Sequence, residues 1–188
     1  MGMIFWIALA ILVVYGVILF NSLVSVKNAV AKAWANIDVL LKQRHDELPK
    51  LVDTCKQYMQ HEQATLEKVI QARSRVSEAR AAQNIGALGS AEGALRSGLG
   101  SLFALVEAYP ELKANEQFLH LQSRISGLEN AIADRREFYN ESVNINNVRI
   151  EQFPELLIAK WFKFNRFEML QFANEELKDV DVGQRFKP

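Results

Sequence analysis

MGMIFWIALAILVVYGVILF, residues 1–20, decides how the rest of the chain is read. It carries no charged side chain, and the first charge follows only at Lys27. At about 1.5 Å of rise per residue, an apolar helix of this length reaches roughly 30 Å, the thickness of a bilayer's hydrocarbon core. A helix satisfies its own backbone hydrogen bonds, as lipid requires. Trp6 near one end and Asn21-Ser22 at the other suit the two water interfaces. A cleaved signal peptide would carry a basic stretch before the apolar run and a small-residue cleavage motif after it, and the sequence has neither. A buried core helix would be shorter and bounded by turn signals. The reading is an uncleaved anchor over residues 1–22, a helical domain over 23–172 and a polar tail over 173–188.

Outside the anchor the composition is balanced. Lys plus Arg equals Asp plus Glu at 22 each, so no strong field marks a nucleic-acid binder. The single cysteine, Cys55, excludes an internal disulfide. Proline stands only at 49, 110, 154 and 188, in a chain rich in helix-forming residues.

The apolar spacing predicts helices throughout. Leu23, Val26, Val30, Trp34, Ile37 and Leu41 recur three and four residues apart, and the stripe resumes at Leu48, Val52, Cys55, Met59, Leu66, Val69 and Val76. Such spacing is the seam of a long helix packed against others in the manner of a coiled coil. Pro49 interrupts it without a neighbouring turn signal, which predicts a kink rather than a reversal. The stretch AQNIGALGS at 82–90 reads as a turn. A second helix follows to Pro110, with Gly93, Gly98 and Gly100 available for close backbone approach. A third runs from near Ala114 to Phe153-Pro154, and an aromatic fourth covers 155–172. The expected fold is all-α: an N-terminal transmembrane helix continuing into an elongated antiparallel four-helix bundle, with the tail after Asn174 loose.

Several ordered blocks resemble one known family. They are Ala33-Trp34, Ile37-Asp38-Val39, Leu41-Lys42, Arg44-His45-Asp46, Leu48-Pro49 and Leu51-Val52, followed by His61-Glu62 and Ala72-Arg73. Glu107-Ala108-Tyr109-Pro110 with Leu112-Lys113-Ala114-Asn115 forms a second group. Glu129-Asn130, Ile132-Ala133, Arg136, Tyr139-Asn140, Val143, Asn146 and Phe153-Pro154 form a third. From Asn21 to about Phe164 the chain resembles the LemA family; Lys50 departs from the asparagine expected after that proline, and no family pattern is visible beyond Phe172. The resemblance implies an N-terminal anchor with an elongated helical bundle, and a role in membrane organisation or beside membrane proteases and envelope signalling.

No catalytic constellation is legible. His61-Glu62 begins like a zinc-protease helix, but Thr65 stands where the second histidine would be. Glu116 and His120 lie four apart, not three, and no second copy exists to build a di-iron site. Cys55 sits on the apolar stripe without charged company, as a buried thiol does. The expectation is no enzyme, no cofactor and no metal.

Polar residues in apolar register are the informative ones. His45, Glu62, Arg135 and Asn146 fall on the stripes and predict a polar core layer, which serves either helix register or a binding site. Phe153, Trp161, Phe162, Phe164 and Phe167, interleaved with Lys160, Lys163 and Arg166, predict an aromatic segment that closes the bundle's end or contacts a partner, with binding to a membrane surface as the alternative.

The functional expectation is a membrane-anchored, non-enzymatic scaffold that self-associates and organises or shapes the membrane. The alternative is an adaptor recruiting a membrane partner such as an envelope protease or signalling protein. Self-association follows from lengths. A kinked rod from Leu23 to Ala82 would reach about 90 Å, whereas the second and third helices cover only about 35 and 55 Å. The seam of Val26, Val30, Trp34, Ile37 and Leu41 would then lack cover and mark a homo-oligomer contact. A reversal at Pro49 would fold that seam inside one chain. Lys27, Lys32, Lys42 and Arg44 follow the anchor and no base precedes it. The positive-inside bias places the N-terminus outside and the domain in the cytoplasm of a bacterial inner membrane, crossed once.

Overall fold

In the structure, a computed structural model, residues 2–171 are described. The expected polar tail of 173–188 lies outside the described residues. All the described elements are helices: α1 (Gly2–Tyr58), α2 (Gln63–Ala81), α3 (Ile85–Val106), α4 (Pro110–Lys113), α5 (Glu116–Arg149) and α6 (Glu155–Trp161). The all-α class therefore holds, with six helices among the described residues where four were expected.

The path of the first half of the chain differs from the expected one. α1 runs unbroken through Pro49, with no reversal there, and the break comes at Met59–Glu62, where no glycine or proline announces it. A proline inside a helix removes the hydrogen bond to the carbonyl four residues back, here that of His45. That carbonyl oxygen is not orphaned: Arg73 Nε donates to it at 3.1 Å. Arg73 can do so only because α2 folds back along the end of α1. The reversal is stitched by backbone bonds from Met59 N to Cys55 O at 2.9 Å and from Glu62 N to Met59 O at 3.1 Å.

The described residues form two compact units. One holds the chain up to Leu41 together with Asn130–Met169; the other holds Lys42–Glu129 with Leu170 and Gln171. In the second unit Leu48, Leu51, Cys55, Val69, Leu88, Leu95, Leu102, Leu112, Phe118 and Ile125 are buried. α2 ends through Gln83, whose φ of 51° puts a non-glycine residue in the left-handed region, with Asn84 N bonded to Ala79 O at 3.0 Å. Asn84 then caps α3, its side-chain oxygen accepting from Ala87 N at 2.9 Å. Pro110 does not end α3 but opens α4, the position where its missing N–H is harmless. The close approach lies at Gly89, where an added Cβ would stand 1.9 Å from the carbonyl oxygen of Gln171; at Gly98 it would make an ordinary 3.5 Å contact with Val69, and at Gly100 it would meet nothing.

In the first unit the α1 residues from Gly2 to Tyr15 are exposed throughout, in a stretch long and apolar enough to cross a membrane. Leu23 is buried with Ile150 and Ala159, and Ile158 and Phe164 pack on them. The aromatic segment is helical only to Trp161 rather than to 172. It ends as α2 does, through a left-handed residue, Lys163 at φ 54°, with Phe164 N bonded to Ala159 O at 2.9 Å.

Candidate functional site

The polar interior begins one residue before the expected one. Arg44, 1% exposed, is among the largest fully buried side chains of the described residues. Its Nη1 donates to Glu129 Oε1 at 2.6 Å and its Nη2 to Glu92, itself 2% exposed. Among the described residues its Nε has no hydrogen-bond partner. Burial opposes the charge on Arg44, but the Glu92 and Glu129 carboxylates outweigh it and hold the guanidinium above its ordinary range. Burial pushes the Glu92 carboxyl up, against the pull of Arg44. Such a triad ties α1, α3 and α5 into one register, because leaving any of these charges without its partner in the interior is costly.

The expected polar layer is dispersed. His45 is half-buried, and its Nε2 lies 2.7 Å from Arg73 Nη2. Since a guanidinium only donates, that ring nitrogen accepts and the proton sits on Nδ1. Burial, then the Arg73 charge, holds the His45 pKa below its usual value. Glu62 is half-buried and accepts from the Tyr109 hydroxyl at 3.2 Å. Asn146 is buried and donates to Asn165 O at 3.3 Å, beside Asn147, which holds Phe167 O and N, both at 2.9 Å. Arg135 is corrected out of the layer. It is exposed on α5, with its guanidinium 5.7 Å from the Phe138 ring. A one-residue drift of helical phase rotates a side chain by about 100°, enough to exchange core for solvent.

Three of the five expected seam residues are buried. Val30, Ile37 and Leu41 are 2%, 0% and 1% exposed within a single chain, and Val26 and Trp34 are half-buried. Trp34 packs on Tyr139 of α5, ring centroids 5.6 Å apart. The expected lack of cover requires a first helix running to Ala82, whereas α1 ends at Tyr58. From Leu23 the helix reaches only about 54 Å to Tyr58, against about 51 Å for α5.

The aromatic segment divides. Phe164 and Phe167 are half-buried, whereas Phe153, Trp161 and Phe162 are exposed, Phe153 by 79% and Trp161 by 84%. Phe162 and Phe164 lie against Phe20, with centroids 4.7 and 6.0 Å away. Nearby, Arg149 Nη2 donates to Ser22 Oγ at 2.8 Å and Arg149 Nε to Glu155 Oε2 at 3.0 Å. Closure therefore describes Phe164 and Phe167 but not the other three.

Cys55 is fully buried, and burial pushes its thiol up to about 12, which keeps it protonated at neutral pH. Among the described residues, no three His, Cys, Asp or Glu side chains gather as a metal centre would require.

An all-helical body carrying a membrane-length apolar helix defines the class: a membrane-associated helical protein. The model of the LemA family matches residues 33–183, and the chain belongs to the LemA family. The match continues past Phe172, where the sequence itself showed no family pattern. Protein LemA of Metamycoplasma hominis is 29% identical over 166 residues, 86% of this chain and 72% of that protein. Magnetosome protein MamQ 2 of Paramagnetospirillum magneticum is 34% identical over 85 residues, 45% of this chain and 31% of that protein. Magnetosome protein MamQ of Magnetospirillum gryphiswaldense is 34% identical over 82 residues, 44% and 30% of the respective chains. The matched stretch thus spans about a third of the two magnetosome relatives. None of these names carries an enzymatic activity.

Proposed function

We propose that this protein is a non-enzymatic scaffold, anchored in the bacterial inner membrane by residues 1–22 and assembling laterally with further copies of itself to organise the membrane. The observation that carries the reading is an outward apolar stripe on α5: Phe138, 62% exposed, with Ile145 and Val148, each 42% exposed. Phe138 and Ile145 are seven residues apart and so share a face of the helix. This stripe, rather than the seam of Val26 to Leu41, is the proposed contact, because Val30, Ile37 and Leu41 of that seam are buried inside the chain. Copies are favoured as its occupant because chains anchored by the same helix present the same stripe at the same height above the bilayer. The exposed Lys27, Lys32 and Lys42 favour a cytoplasmic domain. A reporter fused after Pro188 that is active outside the cytoplasmic membrane would reverse that orientation.

Mass measurement of the full chain extracted in mild detergent tests the scaffold. The expected result is a homogeneous multimer that Phe138→Glu reduces to monomers. A strict monomer overturns the proposal. A stoichiometric foreign protein lost with Phe138→Glu also overturns it, in favour of the adaptor.

A further inference from the structure

α6 is apolar on two sides: Ile158 and Ala159 pack inward with Leu23 and Ile150, yet its outer face is apolar as well. Glu155 and Ala159 are buried, whereas Leu157 and Trp161 are exposed by 60% and 84% and share one face at a spacing of four. Phe153 just before the helix and Phe162 just after it are exposed as well, by 79% and 57%. Four large exposed apolar side chains within ten residues of sequence mark a surface that meets an apolar neighbour.

Their position says which. Phe162 and Phe164 lie on Phe20, the last residue of the uncharged run, at 4.7 and 6.0 Å between centroids. A helical side chain leans toward its own N-terminus, so the Phe20 ring sits below its Cα on the side of the membrane span. Leu19 and Phe20 are half-buried, in contrast to the fully exposed stretch before Gly16. One turn further from the membrane, Ser22 and Leu23 meet Arg149 and Ile150. The exposed aromatics thus lie at the height where the span leaves the hydrocarbon, on the same unit as the span itself. Lys160 and Lys163 are exposed among them, and Arg166 is exposed and paired with Glu151 at 2.6 Å. Aromatic rings with lysines at their edges are the composition that settles at the headgroup level, where the rings enter the acyl boundary and the ammonium groups reach the phosphates.

We infer that α6 is a second membrane contact, an interfacial helix whose Phe153, Leu157, Trp161 and Phe162 are seated in the headgroup–acyl boundary beside Phe20, with Lys160 and Lys163 on anionic lipid phosphates. This rests on the anchor reading of residues 1–22. Held at two points, the first unit loses the free rotation and tilt of a single-helix anchor. A short helix seated in one leaflet also adds area to that leaflet only, which gives the proposed membrane-organising role a physical route.

Tryptophan depth measurement on the full chain separates the two contacts. The chain is reconstituted in vesicles of phosphatidylcholine and phosphatidylglycerol carrying spin labels either at the headgroup or deep in the acyl chains. One variant, W6F/W34F, leaves Trp161 as the fluorophore; another, W34F/W161F, leaves Trp6. The expected result is blue-shifted Trp161 emission that loses most of its intensity to the shallow label and little to the deep one. Replacing phosphatidylglycerol with phosphatidylcholine, or Lys160 and Lys163 with Gln, should reduce that quenching. Red, unquenched Trp161 emission beside a quenched Trp6 overturns the interfacial helix and leaves the anchor standing. Blue emission that no label quenches places Trp161 against protein and overturns it equally. Failure of both tryptophans to be quenched overturns the anchor together with the inference.

Discussion

Arg73 Nε donates to the carbonyl oxygen of His45 at 3.1 Å, the acceptor that Pro49 leaves without its helical partner. A side chain from the returning helix therefore repairs the backbone of the outgoing one. Removing it by Arg73→Met is expected to cost about 1–3 kcal/mol, the range for a charged hydrogen bond whose partner is left unsatisfied. In a Pro49→Ala background residue 49 has an N–H of its own, and the same substitution should cost less. A double-mutant cycle by denaturant melting reads the coupling; additive effects would show that the two sites are independent.

The same contact gives a sign to the pH dependence. Burial and then Arg73 depress the His45 pKa below its ordinary 6.5, so the unfolded chain takes up the proton before the folded one. The stability contributed by neutral His45 is present above that value and is lost as pH falls through the lower folded one. Thermal melting between about pH 7 and 5 should fall more steeply for the natural chain than for His45→Gln, which cannot titrate. Parallel curves would mean that His45 is not part of the acid response.

Arg44 carries the largest expected single loss. Arg44→Leu leaves Glu92 buried without its counter-charge and should destabilise by about 3–5 kcal/mol. Adding Glu92→Leu and Glu129→Leu should recover much of it, because an apolar triad needs no counter-charge. Failure of the triple variant to melt above Arg44→Leu would show that the guanidinium matters for its shape rather than its charge.

Two glycines on one helix are expected to respond in opposite ways. Gly89→Ala drives a Cβ to 1.9 Å from the Gln171 carbonyl oxygen, so the segment must move away. Overpacking of this kind costs about 1–3 kcal/mol. Gly98→Ala meets Val69 only at 3.5 Å and should gain up to about 1 kcal/mol from helix propensity. Urea midpoints of the two variants should fall on opposite sides of the natural one.

Cys55 should resist an impermeant maleimide in the folded protein and react fully on unfolding. Its pKa rises from the ordinary 9.0 to about 12, so its contribution to stability is complete below 9.0 and disappears as pH climbs toward 12. Rapid labelling of the folded chain at neutral pH would show that the thiol is accessible and the core around it open.

By itself the sequence determined the uncharged run of residues 1–20, the helical period of nearly everything after it, and the family blocks. These are local properties: a period of 3.6 and the absence of charge are written in neighbouring residues. The places where helices stop were only partly legible. The turn after Ala82 could be read, although α3 already begins at Ile85, but the reversal at Met59–Glu62 has no breaker residue. It forms because α2 finds a partner in α1, and Arg73 then supplies what Pro49 lacks. Tertiary structure alone decided which polar residues lie inside. Arg44 is buried because Glu92 and Glu129, 48 and 85 residues away, converge on it, whereas Arg135, in apolar register, has Phe138 and water instead. It also decided that Val30, Ile37 and Leu41 are covered while Phe138 and Trp161 are not. A stripe shows that a face is apolar; what lies against it depends on where the chain doubles back, and that is set by long-range contacts that no window of sequence contains.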